Sequence, residues 1–331
     1  MAEYLTNTAD LTAVADAIRA KGGTAAQLVY PAGFVSAIQT IQTGVTPQLI
    51  VTTSAGATVT ATKGSKTVSG TAGADGTCTL ELSEAGEWSV TSSLNGNSRT
   101  QTVLIGTQTA DITLFDSVFA NNSWETIIAV CKSGSVPDSW AVGNSKNMTI
   151  GGAEYQIDII GKNHDAYAAG GTAPLTFQLH NSYGTAYAMK STSTNAGGWK
   201  ECAMRKTHLP TVLALMPAEV QSGIREVSKK TASGGSGTST GIETVTDKLF
   251  LLSEVETFGS TGNSAAGEGS QYAYYETGGS AVKTLNGEMS SWWLRSPMRT
   301  SDYSFCASSG GGEPTHLDAK LERGTAFAFC F

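Results

Sequence analysis

Residues 291–297 (SWWLRSP) and 324–331 (GTAFAFCF) are the apolar runs whose reading decides the fold, and they bracket a stretch of opposite character. Between them, residues 298–323 (MRTSDYSFCASSGGGEPTHLDAKLER) follow no hydrophobic period and mix Met, Arg, Asp, Tyr, Glu, His and Lys with glycines and serines. The two runs read as strand ends. Loops of varied chemistry held by a rigid sheet are how binding surfaces are built, while an ordinary disordered loop is the bland alternative.

Working outward, residues 116–331 form an aromatic-rich segment that holds five of the six tryptophans: Trp124, Trp140, Trp199, Trp292 and Trp293. Asn122 is the expected cap of a helix whose Trp124, Ile127, Ile128 and Cys131 share one face. Strands are expected at 148–150 and 155–160, and a helical region at 202–216. Pro217 should start a further helix with Val220, Ile224 and Val227 on one side. Residues 231–241 and 259–269 read as loose loops or hairpin tips, and 248–253 (KLFLLS) as a buried strand. Helices precede strands and loops are long, so the segment is α+β.

Upstream, residues 46–115 change to a period of two. Strands are expected at 49–52, 57–62, 66–69, 78–82, 88–94, 100–104 and 111–114, with turn chemistry at 63–65, Asp75-Gly76 and Asn95-Gly96. Seven short strands describe a small β-sandwich in which Cys78 is a small core residue. In residues 1–45, Asp10 should cap a helix carrying Leu11, Val14, Ala15 and Ile18, stopped by Gly22-Gly23. Pro31 then starts a second helix with Phe34, Val35, Ile38 and Ile41 on one face. Two such faces must pack on a neighbour, on another copy or on a larger assembly; docking on the chain's own next domain is the alternative.

Composition narrows the function. The chain has 331 residues, 38 of them glycine, with 15% charged and a net charge of −7. Neither a basic stripe nor an apolar run of about 20 residues occurs, which argues against nucleic acid and membrane insertion. Residues 1–10 (MAEYLTNTAD) lack a signal-like basic and apolar region, so no signal peptide is expected. Five scattered cysteines without CxxC spacing argue against a metal knuckle or a disulfide framework.

Local chemistry is sparse. His164-Asp165 could supply a metal ligand or a base, but no second histidine stands at ligand spacing, which favours a hydrogen-bonding role. Ser296 has no readable acid or base partner. Cys306 and Cys330 would approach each other if their strands paired antiparallel, giving a redox pair or a thiolate metal site. Without a basic neighbour to lower either pKa, two buried reduced thiols are the simpler reading.

The run WWLRSP…FC…GTAFAFC resembles the C-terminus of variable proteins made by diversity-generating retroelements, phage tail receptor-binding proteins with a C-type-lectin-like domain. Residues 140–143 (WAVG), 148–150 (MTI), 159–165 (IIGKNHD), 172–180 (TAPLTFQLH), 204–210 (MRKTHLP) and 247–253 (DKLFLLS) also resemble that family. Residues 46–115 resemble the Ig-like and carboxypeptidase-regulatory-like modules of bacterial and phage surface proteins, and 1–45 resemble N-terminal helices of prophage tail proteins. The expected organisation is therefore an attachment segment (1–45), an Ig-like β-sandwich (46–115) and a C-type-lectin-like, formylglycine-generating-enzyme-like domain (116–331).

In that family, copying errors at template adenines turn Asn codons into many residue types at exposed positions. No Asn follows Asn286 here, as the idea requires. The resemblance carries the variable, ligand-binding role onto Met298, Arg299, Thr300, Asp302, Tyr303, Ser304, Ala307, Ser309, Gly311, Glu313, Thr315, His316, Leu317, Asp318, Leu321 and Arg323. It makes Trp292, Trp293, Leu294, Phe305, Phe327 and Phe329 the scaffold. Met298, Glu313, Lys320 and Glu322 depart from the pattern, because adenine changes in an AAY codon cannot produce them. The implied function is recognition of a host-surface protein or glycan, without catalysis or cofactor, calcium being left open. Residues 1–45 would meet tail or baseplate proteins in the virion, after synthesis in the bacterial cytoplasm, and the resemblance admits a homotrimer. The alternatives are an oxidase of the formylglycine-generating type using Cys306 and Cys330, and a purely structural tail protein.

Overall fold

The computed structural model describes residues 8–22, 28–30, 32–39, 46–94, 97–106, 109–134, 136–235 and 241–331. The expected Asn95-Gly96 turn, Pro31, Gly23 and Ile41 lie outside the described residues. The chain divides into two compact units, one of Met1–Thr52 with Gly56–Leu114 and one of Thr53–Ala55 with Phe115–Phe331. Helices, strands and several small sheets make it an α+β protein.

In the first unit, helices α1 (Thr8–Gly22) and α2 (Ala32–Gln39) bury Ala15, Ile18, Phe34 and Ala37 against each other. Helix α1 begins before Asp10, which therefore lies inside it and is not its cap. Seven strands follow: β1 (Gln48–Thr52), β2 (Thr58–Lys63), β3 (Lys66–Thr71), β4 (Thr77–Glu81), β5 (Gly86–Leu94), β6 (Asn97–Ile105) and β7 (Ala110–Thr113). They form two sheets, ordered β4-β1-β7 and β3-β2-β5-β6. Alternation is the cause. Leu49 and Val51 of β1, Val59 and Ala61 of β2, and Trp88 and Val90 of β5 point into one core, with Cys78 among them.

In the second unit, α3 (Trp124–Ser133) buries Trp124, Ile127, Ile128 and Cys131. Its cap is Ser123, whose hydroxyl accepts from the Thr126 amide. Asn122 is instead buried and ties the preceding loop, accepting from the Asp116 amide at 2.7 Å and donating to the Asp116, Val118 and Phe119 carbonyls. Strands β8 (Ser145–Ile150), β9 (Ala153–Lys162) and β10 (Leu175–Leu179) join the C-terminal strand, Ala328–Cys330, in one antiparallel sheet.

Residues 199–213 break into a 3-10 turn (Trp199–Glu201), a π-helical turn (Met204–His208) and α4 (Leu209–Leu213). Helix α5 (Ala218–Gly223) ends sooner than expected, and Val227 opens strand β11 (Val227–Ala232), which pairs with β12 (Ile242–Asp247). Thr231 thus belongs to a strand, and the tip at 236–240 lies outside the described residues. Residues 249–253 are buried as expected, Lys248 is exposed, and only Phe250 forms a bridge, to Ala328. A continuous apolar run fixes burial, not strand pairing.

Helices α6 (Glu254–Phe258) and α7 (Ala273–Glu276) precede the hairpin β13 (Lys283–Leu285) and β14 (Glu288–Ser290). The loop between the two helices is held, not loose: the buried Glu254 carboxylate accepts from the Asn263 and Ser264 amides, and Ser264 and Glu268 are fully buried. Strands β15 (Trp292–Pro297), β16 (Ser304–Ser308) and β17 (Pro314–Asp318) form the last sheet, and β18 (Ala328–Cys330) is the C-terminal strand named above. Among the described residues no helix is long and apolar enough to cross a membrane.

Candidate functional site

Every residue of β15 and β16 is buried, and Trp292, Trp293, Leu294, Phe305, Phe327 and Phe329 show no exposure at all. The indole N–H groups of Trp292 and Trp293 donate to the Ala281 and Tyr187 carbonyls, both at 2.8 Å, so neither large ring leaves a polar atom unmatched. These strands carry the loops of 298–323 on a packed base.

Main-chain groups hold those loops. The Met298 amide donates to the Ser304 carbonyl, and the Arg299 amide to the Asn263 carbonyl, each at 2.9 Å. Fully buried Asn195 closes the loop from below: its side-chain N–H₂ lies 3.2, 2.7 and 2.8 Å from the carbonyls of Met298, Ser301 and Ser304. Its own amide donates to the Asp302 carbonyl at 2.7 Å. Further on, the Lys190 amide donates to the Ala319 carbonyl, and Tyr187 and Arg323 exchange amide–carbonyl bonds.

The side chains divide accordingly. Arg299, Thr300, Asp302, Tyr303, Gly311, Glu313 and His316 are exposed, Tyr303 by 50%. Met298, Ser309, Thr315, Leu317, Asp318, Leu321 and Arg323 are half-buried, and Leu317 and Leu321 pack on the core. Ser304 and Ala307 are corrections to the expected surface, because both lie buried on β16. That strand is the centre of its sheet and is covered on both faces, so small side chains there pack inward.

The turn after β16 separates two glycines. A Cβ on Gly311 would meet only the Ser309 hydroxyl at 3.7 Å, whereas on Gly312 (φ +84°) it would meet Val282 at 2.9 Å. Side-chain variation fits at 311 and is strained at 312.

The cysteine pair does not form. Cys306 sits on β16 and Cys330 on β18, in different sheets, and both are buried free thiols. Burial pushes both pKa values well up, and the neighbouring Asp165 pushes Cys330 further. Ser296 is buried and its hydroxyl accepts from the Glu254 amide. His164 stacks on Tyr272 at 3.9 Å and meets Ser270. Among the described residues, no group of three or more His, Cys, Asp and Glu side chains could hold a metal ion.

Sequence reasoning missed the charge network beneath the site. Lys229 Nζ lies 2.7 Å from both Asp165 Oδ1 and Glu256 Oε1, and Arg295 grips both oxygens of Glu256. Tyr272 and Thr176 donate to Asp165 at 2.8 and 2.6 Å. Burial alone would raise both carboxyl pKa values. The charge of Lys229 at Asp165, and of Arg295 and Lys229 at Glu256, outweighs it and holds both below the usual range. An arginine inside the apolar run WWLRSP was the available signal, since a buried charge requires partners.

A second buried cation, Lys283, behaves oppositely. Burial lowers its pKa to about 7, with Asp158 opposing. The neutral amine has two N–H donors, which match the Leu179 and His180 carbonyls, each at 2.8 Å. Between about pH 7 and the ordinary lysine value near 10.4, the unfolded chain therefore binds one more proton than the folded one. Stability from this group rises with pH through that window and is flat below it. Urea unfolding of wild type and Lys283→Met across pH 6–10 should show wild type gaining on the variant as pH rises; parallel curves would contradict the assignment.

A family model described as a domain of unknown function (DUF6273) matches residues 176–318, from β10 through β17. The match covers the buried strands, Asn195 and most of the displayed loops. No curated protein matches the chain.

Proposed function

We propose that the chain is a diversified ligand-binding protein, a phage or prophage tail adhesin, that recognises a host-surface protein or glycan through residues 298–323. Residues 1–45 serve as the attachment segment, 46–115 as an Ig-like spacer, and 116–331 as a C-type-lectin-like display domain. One observation carries the reading. The backbone of 298–304 is fixed by buried strands and main-chain hydrogen bonds, while Arg299, Thr300, Asp302 and Tyr303 stand exposed on it. Such a surface can change its side chains without changing its shape, and exposed Tyr and Arg on a rigid base are the usual affinity anchors.

Two measurements test it. The encoding locus should contain a reverse transcriptase and a template repeat that differs from codons 298–323 at adenines. The full chain, probed on host-surface protein and glycan arrays, should select a ligand. Tyr303→Ala with Arg299→Ala should weaken that binding by about 30-fold, or ~2 kcal/mol, with the melting temperature unchanged. A locus lacking both elements, together with binding indifferent to these substitutions, would refute the proposal.

A further inference from the structure

A cleft of about 270 Å³ lies in the second unit, between α4 and the end of β12, and none of residues 298–323 lines it. It is smaller than the pockets that take drug-sized molecules. Leu209, Leu213 and Leu249 give it apolar walls, and Arg205 and Lys248 supply its cations.

The cationic end is built, not incidental. Arg205 belongs to the π-helical turn Met204–His208, a rare geometry that recurs at functional sites. The buried Asp247 carboxylate fixes its guanidinium, accepting from Arg205 Nε at 2.6 Å, and is itself fixed by the Trp199 indole N–H at 2.8 Å. Arg205 also donates to the Lys200 carbonyl at 3.3 Å and the Thr246 carbonyl at 3.0 Å. A guanidinium has five N–H donors and these contacts use three, leaving two for an acceptor in the cleft. Asp247 balances the charge of Arg205. Lys248 is exposed beside them, so the lining carries one net positive charge.

We propose that this cleft binds a small apolar monocarboxylate, its hydrocarbon body against Leu209, Leu213 and Leu249 and its carboxylate against Arg205 and Lys248. An apolar body accounts for the leucine walls. A single anionic end accounts for the unmatched charge and for the spare donors of a guanidinium already locked in orientation.

The test titrates the full chain with hexanoate and, separately, with hexanamide, following amide chemical shifts. Hexanoate should give saturable shifts at 205–213 and 246–249, and hexanamide should bind at least about tenfold more weakly. Lys248→Gln should weaken hexanoate by about tenfold, and Leu213→Trp, which fills the cleft, should abolish the shifts. Both variants alter partly exposed side chains, and an unchanged far-ultraviolet dichroism spectrum verifies that they fold. No saturable shift with hexanoate, equal binding of hexanamide, or indifference to Leu213→Trp would overturn the proposal. None of these outcomes depends on residues 298–323, so the adhesin reading stands or falls separately.

Discussion

Replacing Arg295 with methionine should cost the second unit about 3–5 kcal/mol, a large part of the ~5–15 kcal/mol that holds a typical domain together. Arg295 has no exposed surface. Its guanidinium donates to both Glu256 oxygens, to the Leu251 and Lys230 carbonyls at 2.9 and 3.0 Å, and to the Glu268 carbonyl at 2.5 Å. Asp165 and Glu256 are balanced by Lys229 and Arg295, two charges of each sign. Removing the arginine leaves one buried negative charge without compensation, and several carbonyls without donors. Glu256 is also committed elsewhere, because its side chain completes the capping box of α6 by accepting from the Ser253 amide at 3.0 Å.

Urea unfolding followed by the near-ultraviolet dichroism of the tryptophans reads the effect. The pH dependence identifies its cause. In Arg295→Met, Glu256 keeps only Lys229, which it shares with Asp165, and burial then pushes its pKa up toward or above the unfolded value, so the folded variant takes up a proton first as pH falls. Its deficit against wild type should therefore shrink toward pH 5. The pair Arg295→Met with Glu256→Met should cost less than the two single changes summed. A loss under about 1 kcal/mol, or strict additivity, would show that the network contributes nothing as a unit.

What the sequence revealed and what it hid follow from the range of the interactions. The strands of residues 46–115 were legible because each buries alternate residues against one core, so the period of two is written locally. The buried face of α3 was legible for the same reason at helical spacing. Val227 was misread because Val220, Ile224 and Val227 also suit a helix; strand β11 places polar Lys229 and Thr231 inward, which masks its alternation. Their inward position makes sense only with partners far away in sequence, Asp165 and Glu256 for Lys229 and Glu268 for Thr231. Only the family resemblance placed Ser304 and Ala307 on the surface, because small side chains announce neither face of a strand. Asn195 carried no signal at all. The carbonyls that its side-chain N–H₂ meets lie more than a hundred positions downstream, the amide that its Oδ1 meets lies forty away, and nothing in its neighbours marks it.

That silent residue ties the displayed loop from outside it. Asn195→Ala should cost about 2–4 kcal/mol, since the carbonyls of Met298, Ser301 and Ser304 lose their donor and the Gly235 amide, at 2.8 Å from Asn195 Oδ1, loses its acceptor. Asn195→Asp should be worse, because it turns a carboxylate toward three carbonyl oxygens. The loss should be largely local: β15 and β16 keep their packing while 298–304 opens. Arg299 is exposed at the centre of that loop and provides a cleavage site for trypsin. Where opening is fast compared with cleavage, proteolysis tracks the open population, so 2 kcal/mol of local destabilisation corresponds to about 30-fold faster cutting after Arg299. Arg299→Gln in the same background should remove that cut and leave the melting temperature of Asn195→Ala unchanged. Cleavage after Arg299 at the wild-type rate would mean that the buried strands alone hold the loop, and that Asn195 positions nothing.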